Sequence, residues 1–139
     1  MKVMTIVGTR PEIIRLSRVM ARLDATPGID HVLVHTGQNY DHALNQVFFD
    51  DLDPRAPDHY LGVDTSSLGA VLAGVLLETE KVLLAERPDA VLVLGDTNSC
   101  IATVMANEVV NMCGPTFPDR LRGSAECDTT ALIIAFEAA

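Results

Sequence analysis

The sequence predicts an α/β domain built on a parallel sheet with helices on both faces, and three observations carry that prediction. Val3, Met4, Ile6 and Val7 form an almost unbroken apolar run, and Ala90 to Leu94 (AVLVL) form a second, as expected of strands covered on both faces. Each run ends at a glycine, Gly8 or Gly95, and passes at once into a helical pattern. Strands and helices alternating at this length call for right-handed crossovers and a parallel sheet.

In chain order, the first strand leads to Thr9, Arg10, Pro11 and Glu12, a Thr-x-x-Glu capping box with a proline in the first turn. A helix therefore runs from about Arg10 to Asp24, with Ile13, Leu16, Met20 and Leu23 on its inner stripe, and Pro27 and Gly28 end it. The start of this helix faces the carboxyl edge of the sheet. Its N–H groups, its dipole and Arg10 would suit a phosphate there, and the alternative is an ordinary strand-to-helix turn with a solvated arginine. His31 to Thr36 reads as a second strand, followed by a polar loop from Gly37 to His42 on the same edge. His31 and His35 share a strand face, but no third ligand at metal spacing accompanies them, so no metal site is expected.

A short amphipathic helix is expected over Ala43 to Phe49, an acidic connection over Asp50 to Pro57, and a weak strand near Tyr60 and Leu61. From Ser66 or Ser67 a long helix sets Leu68, Val71, Leu72, Val75, Leu76, Val82 and Leu83 on its inner face and stops before Pro88. Gly95 to Ser99 then turns the AVLVL strand into a further helix through about Asn107, repeating the opening architecture. Asp96 at that turn is either an N-cap or a reactive carboxylate, and the first role does not exclude the second.

At 139 residues the chain fits one domain. A net charge of -9 with 10 Lys and Arg opposes nucleic-acid binding and offers no polybasic membrane patch. Aromatic content of 4% without Trp removes the stacking platforms of single-strand binders. No apolar stretch reaches the roughly 18 residues of a membrane helix and the first residues do not resemble a signal peptide, so a cytoplasmic location is expected. Cys100, Cys113 and Cys127 have no Cys-x-x-Cys pairing and are expected to be plain thiols. The expected partner is a small molecule.

GTRPE after the first strand and GDTNS after the AVLVL strand resemble the non-hydrolysing UDP-N-acetylglucosamine 2-epimerases. HTGQNYD and VFFDDL are similar to the branch of that family acting on nucleotide-activated acetamido sugars of surface polysaccharides. The resemblance spans about residues 1 to 107. It implies a glycosyltransferase-B-like pair of Rossmann-like domains with a UDP-sugar in the cleft between them, of which these residues form an incomplete first domain. It implies anti elimination of UDP to a glycal, then re-addition with the opposite configuration at C2, with no cofactor. Arg10 and Arg15, the latter where many members carry lysine, fall at the family's nucleotide-binding cations, with Thr9 beside them. Asp96 matches the acidic residue of the GDT motif, one of several carboxylates that handle protons. Gln38 falls where some members bind a second, regulatory UDP-sugar. A homodimer is implied as well.

Beyond Asn107 the resemblance stops. The segments that carry two further catalytic glutamates and an arginine in the family find no counterpart in residues 108–139, which read as an atypical, partly helical tail. That pattern points to a truncated or diverged member, or to a reading-frame change near residue 107. Three functions follow in order: a 2-epimerase-type isomerase whose isolated chain is inactive, a non-catalytic UDP-sugar binding module or remnant that keeps the fold but not the reaction, and a flavodoxin-like signalling domain; a second domain on a separate chain is left open. The third lacks the acidic cluster a phosphoacceptor needs, since Thr9, Arg10 and Pro11 follow the first strand.

Overall fold

In the computed structural model the described residues are 1–38, 55–95, 97–113 and 130–134. They form a five-stranded, wholly parallel sheet: β1 (Lys2–Val7), β2 (Asp30–His35), β3 (His59–Tyr60), β4 (Ala90–Leu94) and β5 (Thr130–Ile134), ordered β3-β2-β1-β4-β5. Between them run α1 (Arg10–Asp24), α2 (Leu68–Glu86) and α3 (Asn98–Cys113). β1 is the centre, paired with β2 from Lys2↔Asp30 to Val7↔His35 and with β4 at Met4↔Val91. The aliphatic runs are buried residue after residue, because both faces are covered.

The pleat divides the core in two. Met4, Ile6, Val32, Val34, Val91 and Val93 point to one face and pack with Leu83 of α2 and with Cys100 and Ala106 of α3. Val7, Leu33, Leu92 and Leu94 point to the other and meet Ile13, Leu16 and Met20 of α1, with Leu23 at the margin. The α1 stripe is the one its 3/4 spacing predicts. In α2, Ser67 is the N-cap, its Oγ accepting the Ala70 N–H at 3.1 Å, and the helix ends at Arg87 in the left-handed conformation just before Pro88.

Three expectations need adjustment. Leu68, expected on the inner face of α2, is exposed; the buried stripe is Val71, Val75, Thr79 and Leu83. The amino-terminal half of α2 packs on Val63 and on Ala102 of α3 through Val71 and Val75, a cluster that does not include Leu68. The third helix runs past Asn107 to Cys113, and residues 130–134 add a strand beside β4 that the sequence reading did not anticipate. The helix expected over Ala43 to Phe49 lies outside the described residues.

Ion pairs staple the amino edge of the sheet. Lys2 Nζ bonds Glu86 at 2.9 Å and Asp30 at 3.5 Å, and His59 Nε2 meets Glu86 at 2.9 Å. The hydrogen bond from Lys2, then that from His59, holds the Glu86 carboxyl below its ordinary value. His31, which shares a strand face with His35, bonds Thr5 at 2.8 Å and Asp24 at 2.7 Å, so it serves the fold. Among the described residues no helix is long and apolar enough to cross a membrane.

Leu92 is 4% exposed against the α1 side of the core. Leu92→Ala should therefore cost about 2–5 kcal/mol in a denaturant titration, and a loss well under about 1 kcal/mol would contradict central burial.

Candidate functional site

At the carboxyl edge, the ends of β1, β2 and β4 converge on Gly8. A Cβ placed on Gly8 would lie 2.2 Å from Ser99 Oγ and 2.3 Å from Thr36 Oγ1, so only a residue without a side chain lets the three turns close together. Ser99 Oγ donates to Gln38 Oε1 at 2.5 Å, and Thr36 Oγ1 lies 3.0 Å from Ser99 Oγ. Since Ser99 gives its single proton to Gln38, the Thr36 hydroxyl is the donor in the second bond. Thr36 Oγ1 in turn accepts from the Gln38 N–H at 3.4 Å. A chain of three polar groups thus fixes the start of the HTGQ loop against α3.

Glu12 makes the second link. It is 3% exposed, and its Oε2 accepts the N–H of Gly8 at 2.6 Å and of Thr9 at 2.8 Å, while its Oε1 accepts the Thr97 hydroxyl. Thr97 Oγ1 also accepts the Cys100 N–H at 3.2 Å, capping the first turn of α3. One carboxylate therefore ties the GTRPE turn to the GDTNS turn, 85 residues away. The Glu12 half of the expected capping box is present. Thr9 sits at the N-cap in extended conformation, but its Oγ1 is buried without a hydrogen-bond partner among the described residues.

The Gly8 and Thr9 N–H groups are already bonded to Glu12, because a glutamate in the first helical turn is long enough to fold back over the N-cap. Arg10 is half-buried at the first position of α1, whereas Arg15 lies exposed one turn further along. Gln38 is brought to the same edge by Ser99. Asp96 lies outside the described residues, as do residues 39–54. Thr36, Ser99 and Thr97 were missed by sequence reasoning; the signal was present in the two glycine-ended strands, whose turns must meet wherever a glycine permits close approach.

His35 flanks this edge. It is 1% exposed, stacks on Tyr60 at 5.3 Å, and its Nδ1 accepts the Gly37 N–H at 3.0 Å, so the neutral ring carries its proton on Nε2. Burial lowers its pKa below the ordinary imidazole value. Among the described residues no three His, Cys, Asp or Glu side chains converge as a metal site.

Comparison with known proteins adds a second line of observation. The family model for UDP-N-acetylglucosamine 2-epimerase matches residues 21–112. A UDP-N-acetylglucosamine 2-epimerase from Methanocaldococcus jannaschii is 42% identical over 102 residues, covering 73% of this chain and 28% of that protein. A UDP-2,3-diacetamido-2,3-dideoxy-D-glucuronate 2-epimerase from Pseudomonas aeruginosa is 38% identical over 106 residues, 76% of this chain and 30% of that one. Among solved structures, the Methanocaldococcus jannaschii UDP-GlcNAc 2-epimerase in complex with UDP-GlcNAc and UDP superposes with a TM-score of 0.73 at 35% identity, over 95% of this chain and 32% of that chain. The Rickettsia bellii UDP-N-acetylglucosamine 2-epimerase gives 0.69 at 46% identity, over 80% and 29%. The chain thus spans about three-tenths of the length of the relatives it matches.

If Gly8 is required by close approach to Ser99, Gly8→Ala should cost about 1–3 kcal/mol, and Ser99→Ala should recover part of that loss when the two are combined. Strictly additive losses in urea titrations of the single and double variants would show that the two turns are not in contact through these atoms.

Proposed function

Because the chain belongs to the UDP-N-acetylglucosamine 2-epimerase family, we propose that these residues form the first-domain side of an isomerase acting at C2 of a UDP-activated acetamido sugar. The observation that carries this reading is the joining of the GTRPE and GDTNS turns by Glu12 at the carboxyl edge, where open α/β sheets bind their ligands. The reaction requires a base that removes the C2 proton while the bond from C1 to the UDP oxygen breaks, leaving a C1=C2 glycal. UDP then re-adds at C1 as a proton is delivered to C2 from the opposite face.

In this reading Arg10 stabilises the diphosphate as negative charge gathers on it, with Arg15 and Thr9 supporting nucleotide binding. Asp96, between Gly95 and Thr97, is the carboxylate that handles protons. Gln38 contributes to a second UDP-sugar contact. No redox cofactor or metal takes part, the product serves surface polysaccharide synthesis, the setting is cytoplasmic, and the assembled enzyme is a homodimer. The boundary near residue 107 separates the family-like part from residues 108–139.

A second reading is a UDP-sugar binding module or remnant without turnover; the chain spans about three-tenths of its relatives' length. The resemblance assigns two further glutamates to segments that these 139 residues do not contain. Proton removal, leaving-group stabilisation and enclosure act in one transition state, so their losses multiply.

Calorimetry on the 139-residue chain should find UDP binding no tighter than micromolar, and Arg10→Ala should abolish most of the heat. Equal heats for both proteins would remove Arg10 from the site. In heavy water with UDP-N-acetylglucosamine, the same chain should incorporate no deuterium at C2 above background; exchange that disappears in Asp96→Asn would show that it is catalytically complete.

A further inference from the structure

The outer face of α1 carries charge that the fold does not use. Of the 10 Lys and Arg, four lie in α1, Arg10, Arg15, Arg18 and Arg22, against two carboxylates, whereas the remaining residues hold six Lys and Arg against 17 Asp and Glu. Both α1 carboxylates are committed elsewhere, Glu12 to Gly8, Thr9 and Thr97, and Asp24 to His31 and Arg55. Arg15, Arg18 and Arg22 are exposed and, among the described residues, make no ion pair. At about 100° per residue their positions fall within roughly 60° of one another around the helix, on the side turned away from Ile13, Leu16 and Met20, and they run about 10 Å along its axis.

Helix stability does not account for this stripe. Arg22, in the last turn, answers the helix dipole, but that effect fades within a turn, and Arg15 and Arg18 lie further in. Arg15 and Arg18 are neighbours at i, i+3, and Arg18 and Arg22 at i, i+4, so the like charges weaken the helix instead of supporting it. What the stripe does have is a direction: α1 starts at the carboxyl edge, so the row leads back from the edge where Thr9, Arg10 and Gln38 lie. A phosphate-bearing molecule approaching a chain of net charge -9 is repelled at long range, and a local row of cations reverses that sign along one path. We propose that Arg18 and Arg22, in line behind Arg15, form an electrostatic guide that draws a nucleoside diphosphate to the carboxyl edge of the sheet without touching it once bound. The guide acts on the rate of arrival, and release is left to the groups at the edge. For the identity of the ligand this rests on the nucleotide-sugar reading; any diphosphate is drawn in the same way.

The test takes association and dissociation rates from nuclear magnetic resonance line shapes of the ¹⁵N-labelled 139-residue chain, titrated with UDP and separately with inorganic pyrophosphate, at about 20 mM and about 500 mM salt. Arg18→Gln with Arg22→Gln removes two charges from the stripe; both positions are exposed and glutamine is a comparable helix former, so the fold is kept. Lys81→Gln with Arg87→Gln removes the same charge from α2 and its C-cap, on the other face of the sheet. At low salt the stripe variant should associate with either ligand about three- to tenfold more slowly than wild type, with dissociation unchanged and the difference lost at high salt. The α2 variant should stay within about twofold of wild type. The proposal is overturned if the stripe variant associates as fast as wild type, if the loss appears in dissociation instead, or if the α2 variant is slowed as much, since net charge and not its placement would then be at work. Pyrophosphate arrival that depends on Arg18 and Arg22 in a protein that binds no UDP would leave the guide standing and remove the nucleotide-sugar reading; a protein that binds neither ligand removes the guide.

Discussion

The structure depends most on a single buried carboxylate. Glu12 receives three hydrogen bonds, two from the main chain that follows β1 and one from Thr97, which caps α3, and it has almost no exposure to water. A charged group in that position is stable only while its donors are in place, since desolvation without them costs several kcal/mol. The relation also runs in reverse: the turns after β1 and β4 are held together because Glu12 requires it. Gly8 makes the approach possible by having no Cβ, and the bonds among Thr36, Ser99 and Gln38 draw in the end of β2.

The two edges of the sheet are built differently. Lys2, Asp30, Glu86 and His59 hold one side with ion pairs that are partly in water and individually weak. The carboxyl edge is held by buried polar groups whose partners are specific in number and direction. Among the described residues the bonds there run between hydroxyls, an amide and the Glu12 carboxylate, in a chain of net charge -9 whose reading as a nucleotide-sugar protein places the cationic work on Arg10.

Much of this fold was legible in the sequence because strand burial writes itself plainly. Continuous runs such as VLVL cannot alternate between core and water, so β1, β2 and β4 and their order of appearance followed directly, and the Thr-x-x-Glu pattern fixed the start of α1 at Arg10. β5 was not legible. A run as short as TALII fits a buried strand or one turn of a buried helix equally well, and only its pairing with β4 decides. The site was half legible. Its motifs and Gly8 could be read as a strand-end site, but the reach of Glu12 to Thr97 is a contact between residues 85 apart, and capping chemistry alone explains why Glu12 is there without indicating that bond.

The central claim is that Glu12 couples the two motif-bearing turns through Thr97. Its most direct test is a double-mutant cycle on stability with Glu12→Gln, Thr97→Val and the pair, measured by urea denaturation of the 139-residue chain. The account predicts a coupling of about 1 kcal/mol or more, as for a charge-assisted bond in a buried site, so that the double variant loses distinctly less than the sum of the singles. Additivity within about 0.5 kcal/mol would contradict it and leave the two turns as independent neighbours.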